Sequence, residues 1–214
     1  MPQFTSFAFN PECTALLWKI EEDEANLRTS LPLTEPELAD LAGITHPAQR
    51  VEWMACRTAM RQLAESQGLA YTGLFKDEFG KPHLIASPAE QAGHISLTHT
   101  SGWAAVVWHA SRPVGIDIEP LREQFVRVVP RVLSETETAH AGQDLMRLAV
   151  YWCAKEALYK LYGKRQLTFR EHLLIEPFAD GATQLTGHVR LPDHAEELTI
   201  CCRAAGPGLL AVAF

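Results

Sequence analysis

Short apolar segments and one long amphipathic stretch alternate along the first half of the chain. Apolar residues recur every three or four positions from Pro47 to Gln67, which predicts a helix that ends at Gly68. Thr34-Glu35-Pro36-Glu37 has the Ser/Thr-x-x-Glu spacing of a capping box and predicts the start of a shorter helix. Alternating or continuous apolar residues predict strands at Phe4–Phe9, Ala15–Ile20, His94–His99 and Ala104–His109.

The second half of the chain repeats this mixture of strands and helices. Ser134-Glu135-Thr136-Glu137 is a second capping box, and a strong helix is predicted from Asp144 to Tyr162, where Gly163 ends it. Ser111-Arg112-Pro113 interrupts the pattern between the halves, so we predict α+β domains over residues 1–111 and 112–214. Further strands are predicted at Val114–Glu119, Leu173–Glu176, Gln184–Arg190, Glu197–Arg203 and Leu209–Phe214.

Composition and charge exclude some classes of protein. The chain has 214 residues, of which 47% are hydrophobic and 21% charged, as in an ordinary globular protein and unlike a disordered one. Its formal charge of −7 argues against a nucleic-acid binder that neutralises many phosphates. A locally basic pocket for a small phosphorylated ligand stays compatible with that charge.

The cysteines and the N-terminal sequence predict a cytoplasmic protein. The five cysteines are scattered without a C-x-x-C pair, which favours buried free thiols over a disulfide framework or a zinc ribbon. The first residues lack the basic and apolar regions of a signal peptide. No apolar run approaches the roughly 20 residues of a membrane span. We therefore expect a soluble protein without membrane or nucleic-acid partners.

Two acidic residues occupy one face of a predicted strand. In Gly115-Ile116-Asp117-Ile118-Glu119, alternation places Asp117 and Glu119 on one face and the two isoleucines on the other. Carboxylates at this spacing converge on one point, as a hard divalent cation requires. A solvated face of an edge strand would have the same pattern, so the strand alone leaves both interpretations open.

The segment from Trp152 to Lys160 is dense in charged and aromatic residues. Glu156 and Lys160 are four residues apart and share a helix face with Trp152. An exposed pair of this kind only stabilises a helix, by about 0.2–0.5 kcal/mol. The neighbouring tyrosines indicate a packed helix, and a packed charged face needs a partner such as a metal or a phosphate.

A third candidate site lies where a predicted strand runs into a hydroxyl-rich turn. Ser96-Leu97-Thr98-His99-Thr100-Ser101-Gly102 offers hydroxyls, backbone N–H groups and a histidine that could hold a phosphate, although a lone histidine at a strand end is more often structural. Arg57 and Lys81 are two further cations that would individually be read as solvated surface. The sequence contains no Walker loop, G-x-G-x-x-G fingerprint or G-x-S-x-G elbow.

Taken together, these motifs resemble the 4′-phosphopantetheinyl transferase superfamily, specifically its surfactin-synthetase-activating, or Sfp-like, type. The resemblance depends on Val114-Gly115-Ile116-Asp117-Ile118-Glu119 and on Trp152-Cys153-Ala154-Lys155-Glu156-Ala157-Leu158-Tyr159-Lys160. Supporting matches, in the right order, are Phe79-Gly80-Lys81-Pro82, Leu97-Thr98-His99-Thr100 and Leu133-Ser134-Glu135-Thr136-Glu137.

The resemblance implies a fold. It implies a pseudo-dimer of two similar α+β lobes in one chain, each a small, mainly antiparallel sheet packed with a long helix, with the active site in the cleft between the lobes. The lobe of residues 1–111 is then the nucleotide side, and the lobe of residues 112–214 carries the metal and catalytic motifs. A monomer is expected.

The resemblance also implies an activity, that of a holo-[acyl-carrier-protein] synthase or 4′-phosphopantetheinyl transferase. Such an enzyme moves the phosphopantetheine arm of its substrate coenzyme A onto a serine of an apo acyl or peptidyl carrier protein and releases adenosine 3′,5′-bisphosphate. The cofactor is Mg²⁺, with Mn²⁺ as a substitute. Carriers of fatty-acid, polyketide and peptide synthesis are all compatible with the sequence.

The resemblance further implies roles for individual residues. By resemblance, the family's metal ligands correspond to Asp117, Glu119 and Glu156. Glu156 also corresponds to the base that takes the serine proton, and it is expected to be ionised beside Mg²⁺ and Lys160. Lys160 resembles the pyrophosphate contact, with Lys155 a weaker candidate for the same region. The residues that resemble contacts to the nucleotide phosphates are Arg57, Lys81, Thr98 and His99, with His99 assigned to the 3′-phosphate.

One departure and two alternatives accompany this interpretation. Thr98 stands where the family usually has Ser before the histidine, which keeps the hydroxyl and adds a methyl group. A Mg²⁺-dependent hydrolase of coenzyme A or another nucleotide pyrophosphate would use the same acids. A homologue that binds coenzyme A or a carrier without catalysis is disfavoured, because none of the acids nor Lys160 has been lost.

Overall fold

A computed structural model describes residues 4–85, 92–164 and 167–214 of the chain. Within these residues the protein has an α+β fold with antiparallel sheets, as predicted. The chain divides into two compact units, Met1–Pro113 and Val114–Phe214, which we call the N-terminal and C-terminal units.

The N-terminal unit contains a four-stranded antiparallel sheet with one long helix packed against it. The strand order is β1-β2-β6-β5, and a separate two-stranded ribbon pairs β3 with β4. The strands are β1 Phe4–Asn10, β2 Cys13–Lys19, β3 Leu74–Lys76, β4 Pro82–Leu84, β5 His94–Thr100 and β6 Trp103–His109. The helices are α1 Glu24–Ser30, α2 Glu35–Gly43 and α3 Pro47–Ser66.

The long helix α3 forms because its apolar positions make one continuous stripe. Met54, Met60 and Leu63 are fully buried on that stripe. They share a core with residues of the sheet such as Val106, on strand β6. The predicted helix and its four neighbouring strands are thus confirmed, whereas α1 and the ribbon were not predicted.

The C-terminal unit contains a five-stranded antiparallel sheet in the order β7-β11-β10-β9-β8, so β7 is an end strand. The strands are β7 Gly115–Pro120, β8 Leu173–Ile175, β9 Gln184–Leu191, β10 His194–Ala205 and β11 Gly208–Ala213. The helices are α4 Phe125–Val128, α5 Glu135–Ala141, α6 Leu145–Tyr162 and α7 Phe169–His172, with a 3-10 helix at Val129–Val132.

The central helix α6 begins and ends as its sequence predicts. The Asp144 side chain accepts a hydrogen bond from Arg147 N at 2.8 Å, and Gly163 adopts a left-handed conformation with φ 70°. Most of α6 is buried, since it packs against the sheet on one side and short helices on another. At Gly115 the backbones of β7 and α6 come so close that a Cβ would overlap the carbonyl oxygen of Ala157. Glycine is therefore required where these two elements meet.

In the N-terminal unit, the capping box buries a glutamate at the start of α2. Glu37 is 2% exposed. Its carboxylate accepts hydrogen bonds from Thr34 N at 3.1 Å, from Leu74 N of β3 at 3.3 Å and from Arg57 Nε of α3 at 2.9 Å. One carboxylate thus joins a helix start, a strand and the long helix.

The C-terminal unit contains the same arrangement. Glu137, 1% exposed, closes the second capping box with Ser134 N at 2.7 Å. It also accepts a hydrogen bond from Ile175 N of β8 at 2.8 Å and pairs with Lys155 Nζ of α6 at 2.7 Å. Both predicted capping boxes are confirmed. In each, the glutamate also bonds to a strand and to the long helix, which the sequence did not indicate.

The cysteines agree with the sequence analysis. None of the five forms a disulfide, and four of them are buried; Cys201 is half-buried. In the described parts of the chain, no helix combines the length and the apolar character needed to cross a membrane.

Candidate active site

The acidic residues of β7 lie on one side of the end strand, as alternation predicts. Asp117 is only 5% exposed, and Lys160 Nζ of α6 donates to its Oδ1 at 2.7 Å. Glu119 Oε1 accepts a hydrogen bond of 3.4 Å from the Trp152 indole N–H. Arg122 Nη2 lies 3.2 Å from Glu119 Oε2. The two carboxylates are therefore held against α6 by a lysine and a tryptophan.

The face of α6 toward these acids carries one residue per turn. Trp152, Glu156 and Lys160 follow each other at intervals of four, so they stack along the same side of the helix. The first and third of them contact Glu119 and Asp117, which places Glu156 between the two contacts. The predicted metal ligands Asp117, Glu119 and Glu156 and the predicted contact Lys160 thus lie near one another in the C-terminal unit.

The charge on Glu156 is disfavoured in this setting. Burial, chiefly, and the negative charge of Asp117 raise the pKa of Glu156 to about 7, although Lys160 opposes them and Glu119 adds to them. The sequence-based expectation of an ionised Glu156 concerns the protein with Mg²⁺ bound beside Lys160, so it stays a prediction for that state. The pKa of Glu119 is raised as well, mainly by burial and then by Asp117.

The three carboxylates can be tested against the requirements of a divalent cation. In the described residues, no group of three or more His, Cys, Asp or Glu side chains is placed so that it could hold a metal ion. Glu119 Oε2 is nevertheless buried without an accepted hydrogen bond, although Arg122 is near. Asp117 raises the pKa of both Glu119 and Glu156, and Glu119 also raises that of Glu156, so an added positive charge would relieve this repulsion. Oxygen donors with this electrostatic need fit Mg²⁺ in chemistry.

Lys155 is not brought to this site. It is 0% exposed, and its ammonium pairs with Glu137 at 2.7 Å. It also donates to the carbonyl oxygens of Val132, Phe169 and Leu173 at 3.2, 3.0 and 2.6 Å. Burial lowers the pKa of Lys155, and Glu137 opposes that shift. The predicted contact of Lys155 with the pyrophosphate is therefore wrong, because its ammonium group donates its hydrogen bonds to partners inside the core.

A pocket of about 160 Å³ in the N-terminal unit collects several of the predicted nucleotide contacts. Arg57 lies on its wall with its guanidinium carbon 3.2 Å from the centre of the Trp53 ring and its Nε bonded to Glu37. Burial lowers the pKa of Arg57, with Glu37 opposing. The lining residues are Trp53, Cys56, Arg57, Leu74, Lys76, Pro82, Leu97, Thr98 and His99.

His99 is an accessible candidate for ligand contact in this pocket. Its side chain is 45% exposed, and its Nδ1 lies 3.2 Å from Glu52 Oε2 of α3. Thr98, one residue earlier, is buried, with its backbone carbonyl 3.5 Å from Cys56 Sγ. Alternation along β5 thus places the histidine outward and the threonine inward.

The lysine that was predicted to contact the nucleotide does not line this pocket, and another lysine does. Lys81 is half-buried; burial lowers its pKa to about 8, against the pull of Asp77. It is not one of the residues that line the pocket. Lys76 does line it and pairs with Asp40 at 2.6 Å. Sequence reasoning missed Lys76, because no motif marks the short strand on which it lies.

Comparisons with known proteins agree with the recognition from motifs. Residues 113–205 match the family model described as the 4′-phosphopantetheinyl transferase superfamily. The chain is also similar to a 4′-phosphopantetheinyl transferase of Bacillus subtilis, with 28% identity over 168 residues that cover 72% of each chain. The matched segment contains the acids of β7 and the whole of α6. The chain is therefore a transferase that is similar to 4′-phosphopantetheinyl transferases, and its residues 113–205 resemble that superfamily.

Proposed function

We propose that this protein is an Sfp-like enzyme that transfers the 4′-phosphopantetheine arm of coenzyme A to a serine of an apo carrier protein. The released product is adenosine 3′,5′-bisphosphate, and the reaction depends on Mg²⁺. The observation that carries the proposal is the electrostatically coupled set Asp117, Glu119 and Glu156, with Lys160 beside it, inside the segment that matches the family.

The transfer breaks one bond of the pyrophosphate and forms one to the serine oxygen. The proton of the serine hydroxyl goes to a base, and the leaving oxygen departs with the nucleotide. Mg²⁺, when bound, supplies positive charge to the pyrophosphate oxygens and makes the phosphorus easier to attack. Asp117, Glu119 and Glu156 would hold it.

Glu156 is the proposed base. Its half-buried position and the charge of Asp117 give it a pKa of about 7 in the metal-free protein, close to the value at which a carboxylate both loses and accepts a proton at neutral pH. Lys160 is proposed to contact the pyrophosphate. It already lies against Asp117, so its ammonium is fixed at the same place as the acids.

The pocket of the N-terminal unit is proposed to bind the nucleotide phosphates. His99 offers an accessible ring for the 3′-phosphate, and Arg57 and the Thr98 segment lie in the same wall. Lys81 is retained as a proposed contact, while Lys76 is added because it lines the pocket. Together these cations suit an anionic ligand.

We also propose that the two units are related lobes. Support comes from the buried glutamates Glu37 and Glu137, each the N3 residue of a capping box and each bonded to a strand N–H. Each pairs with a cation of the long helix, Arg57 or Lys155, which is the eleventh residue of that helix. Equivalent contacts at equivalent positions are the pattern that duplication of one unit would leave.

The test is mass spectrometry of apo-carriers of fatty-acid, polyketide and peptide synthesis after incubation with coenzyme A and Mg²⁺. We expect one carrier to gain the mass of the phosphopantetheine arm. Consumption of coenzyme A without any carrier would instead identify a hydrolase. Variants of the carrier in which the serine is replaced by alanine are the matched control and gain no mass.

A further inference from the structure

Two polar contacts join the short helix α5 to the central helix α6. Glu137 pairs with Lys155 Nζ at 2.7 Å, and His140 Nδ1 lies 2.9 Å from the Tyr151 hydroxyl. The two α5 residues are one turn apart, and so are the two α6 residues. The two contacts therefore lie side by side along the line where the helices meet.

The α6 partner of each contact is sealed from solvent, and both contacts continue into the rest of the unit. Lys155 and Tyr151 are 0% exposed. The Lys155 ammonium also binds carbonyl oxygens of the 3-10 helix, of α7 and of β8, so one group holds α6 to four elements. The other ring nitrogen of His140 lies 3.0 Å from the Phe178 carbonyl oxygen, which fixes the histidine in turn.

Tyr151 and Lys155, which these contacts fix, directly precede Trp152 and Glu156 of the candidate site in sequence. Tyr151 and Lys155 form one stripe of α6, and Trp152, Glu156 and Lys160 form the next stripe, about 100° further around the helix. A side-chain head group lies about 5–6 Å from the helix axis, so a rotation of about 10° moves it by about 1 Å. A displacement of that size can lower a reaction rate about 100-fold.

We propose that Glu137 is a positioning residue of the transferase: through Lys155, and together with the His140–Tyr151 contact, it sets the rotation of α6 that aims Glu156 at the acids of β7. This inference rests on the proposed function. Glu137 touches neither β7 nor the reacting atoms; it acts on the site through the helix alone. Its backbone contacts to Ser134 and Ile175 tie that rotation to the start of α5 and to the sheet.

The test is a comparison of Glu137→Gln with Glu135→Gln. Glu135 lies in the first turn of the same helix and is exposed, so its variant makes the same change of charge away from α6. We expect Glu137→Gln to lower kcat about 10- to 100-fold with the KM for coenzyme A changed less than about threefold, and Glu135→Gln to change neither. Circular dichroism and a thermal melt identify the temperature at which all variants are folded.

A second arm separates positioning from a general structural defect. In a Glu156→Gln background the base is already missing, so Glu137→Gln should lower the residual rate less than about threefold. An equal loss in both backgrounds, or a folded Glu137→Gln protein with wild-type kcat, would overturn the inference.

Should Glu137→Gln not fold, Tyr151→Phe removes only one hydroxyl and is expected to lower kcat about 3- to 10-fold; wild-type kcat in that variant likewise overturns it. A wild-type protein without carrier modification overturns the proposed function, and this inference with it, whereas an active wild type with an unaffected Glu137→Gln overturns this inference alone.

Discussion

Lys160 Nζ donates a hydrogen bond of 2.7 Å to Asp117 Oδ1, from the last turn of the central helix to the middle of the end strand. The lysine side chain is 27% exposed and the aspartate 6%, so the acid is enclosed while the cation reaches solvent. One proposed pyrophosphate contact and one proposed metal ligand therefore meet directly. The charge balance of the candidate site depends on this pair.

Asp117→Asn should abolish most transfer without unfolding the protein. The amide keeps the shape of the side chain but loses the charge that pairs with Lys160 and that would hold a metal. We expect the rate to fall at least about 100-fold, by analogy with the loss of one preorganised electrostatic contact in a reaction centre. Carrier modification followed by mass spectrometry measures it, with the exposed Glu123→Gln as a control of equal charge change. Near-normal turnover of a folded Asp117→Asn protein at saturating Mg²⁺ would contradict the metal assignment.

Glu156 should make the stability of the metal-free protein depend on pH. Its pKa is about 7 in the folded protein against an ordinary 4.5, so between these values the folded protein holds more protons than the unfolded chain. The free energy of unfolding should therefore fall as the pH rises from about 4.5 to 7, and then stay level. Urea unfolding at pH 5 and pH 8 in EDTA measures this loss, which should be smaller in Glu156→Gln. Added Mg²⁺ should lower the pKa and reduce the difference; an equal pH response of the two proteins would refute the assigned pKa.

His99→Ala should weaken binding of coenzyme A more than binding of dephospho-coenzyme A. The proposed contact is to the 3′-phosphate, which only the first ligand carries. A charge-assisted hydrogen bond contributes about 1.5–3 kcal/mol, equivalent to about 10- to 150-fold in affinity. Calorimetric titration with both ligands gives the ratio, and the exposed His194→Ala is the control. Equal weakening of both ligands would make His99 a structural residue or a contact of another phosphate.

Glu37→Gln should destabilise the protein far more than Glu35→Gln. Both glutamates lie in the first turn of α2, but Glu37 is buried against Arg57 while Glu35 is exposed. Removing one partner of a buried ion pair costs about 3–5 kcal/mol, because the remaining charge loses its compensation. Chemical denaturation of the two variants tests this. Similar midpoints for both would show that the pair contributes little to stability.

Gly115→Ala should separate β7 from α6. The added methyl group would overlap the Ala157 carbonyl oxygen, which is backbone and cannot rotate away. Overpacking of this kind costs about 1–3 kcal/mol. Transfer should fall as well, because the acids and Glu156 lie on the two elements that are pushed apart. Gly43→Ala is the control, since a methyl group added at Gly43 would meet no atom within 4 Å; equal melting temperatures of the two variants would contradict the close approach.

Sequence patterns correctly predicted the elements that depend on interactions between residues close in sequence. The stripe of α3, the two capping boxes and the alternation around Asp117 each depend on residues close in sequence, and the structure contains them all. The ribbon of β3 and β4 was not predicted, because strands of three residues are too short to have a period. Its pairing comes from the Asp77 turn between them, which bonds the N–H groups of Phe79 and Lys81.

The candidate site was predictable in its residue types and only partly in its contacts. Lys155 and Glu156 are adjacent in the motif, yet one is sealed in the core and the other lies toward β7. Helical periodicity separates the two side chains by about 100°, but it does not show which of them is sealed in the core, because the partner of Lys155 is Glu137, eighteen residues earlier. The Trp152–Glu119 hydrogen bond and the Glu52–His99 pair also join distant segments. Such contacts follow from tertiary packing rather than from spacing.

The position of β7 at the end of its sheet has a consequence for solubility. An end strand presents backbone groups on which a strand from another molecule can pair, and charged side chains on such a strand oppose that pairing. Asp117 and Glu119 alternate with Ile116 and Ile118, so the strand would become wholly apolar if both acids were replaced by valine. Such a protein is expected to aggregate as well as to lose activity. Asp117 is enclosed beside Lys160, whereas Glu119 keeps 20% of its side chain exposed, so protection against self-association would come from Glu119.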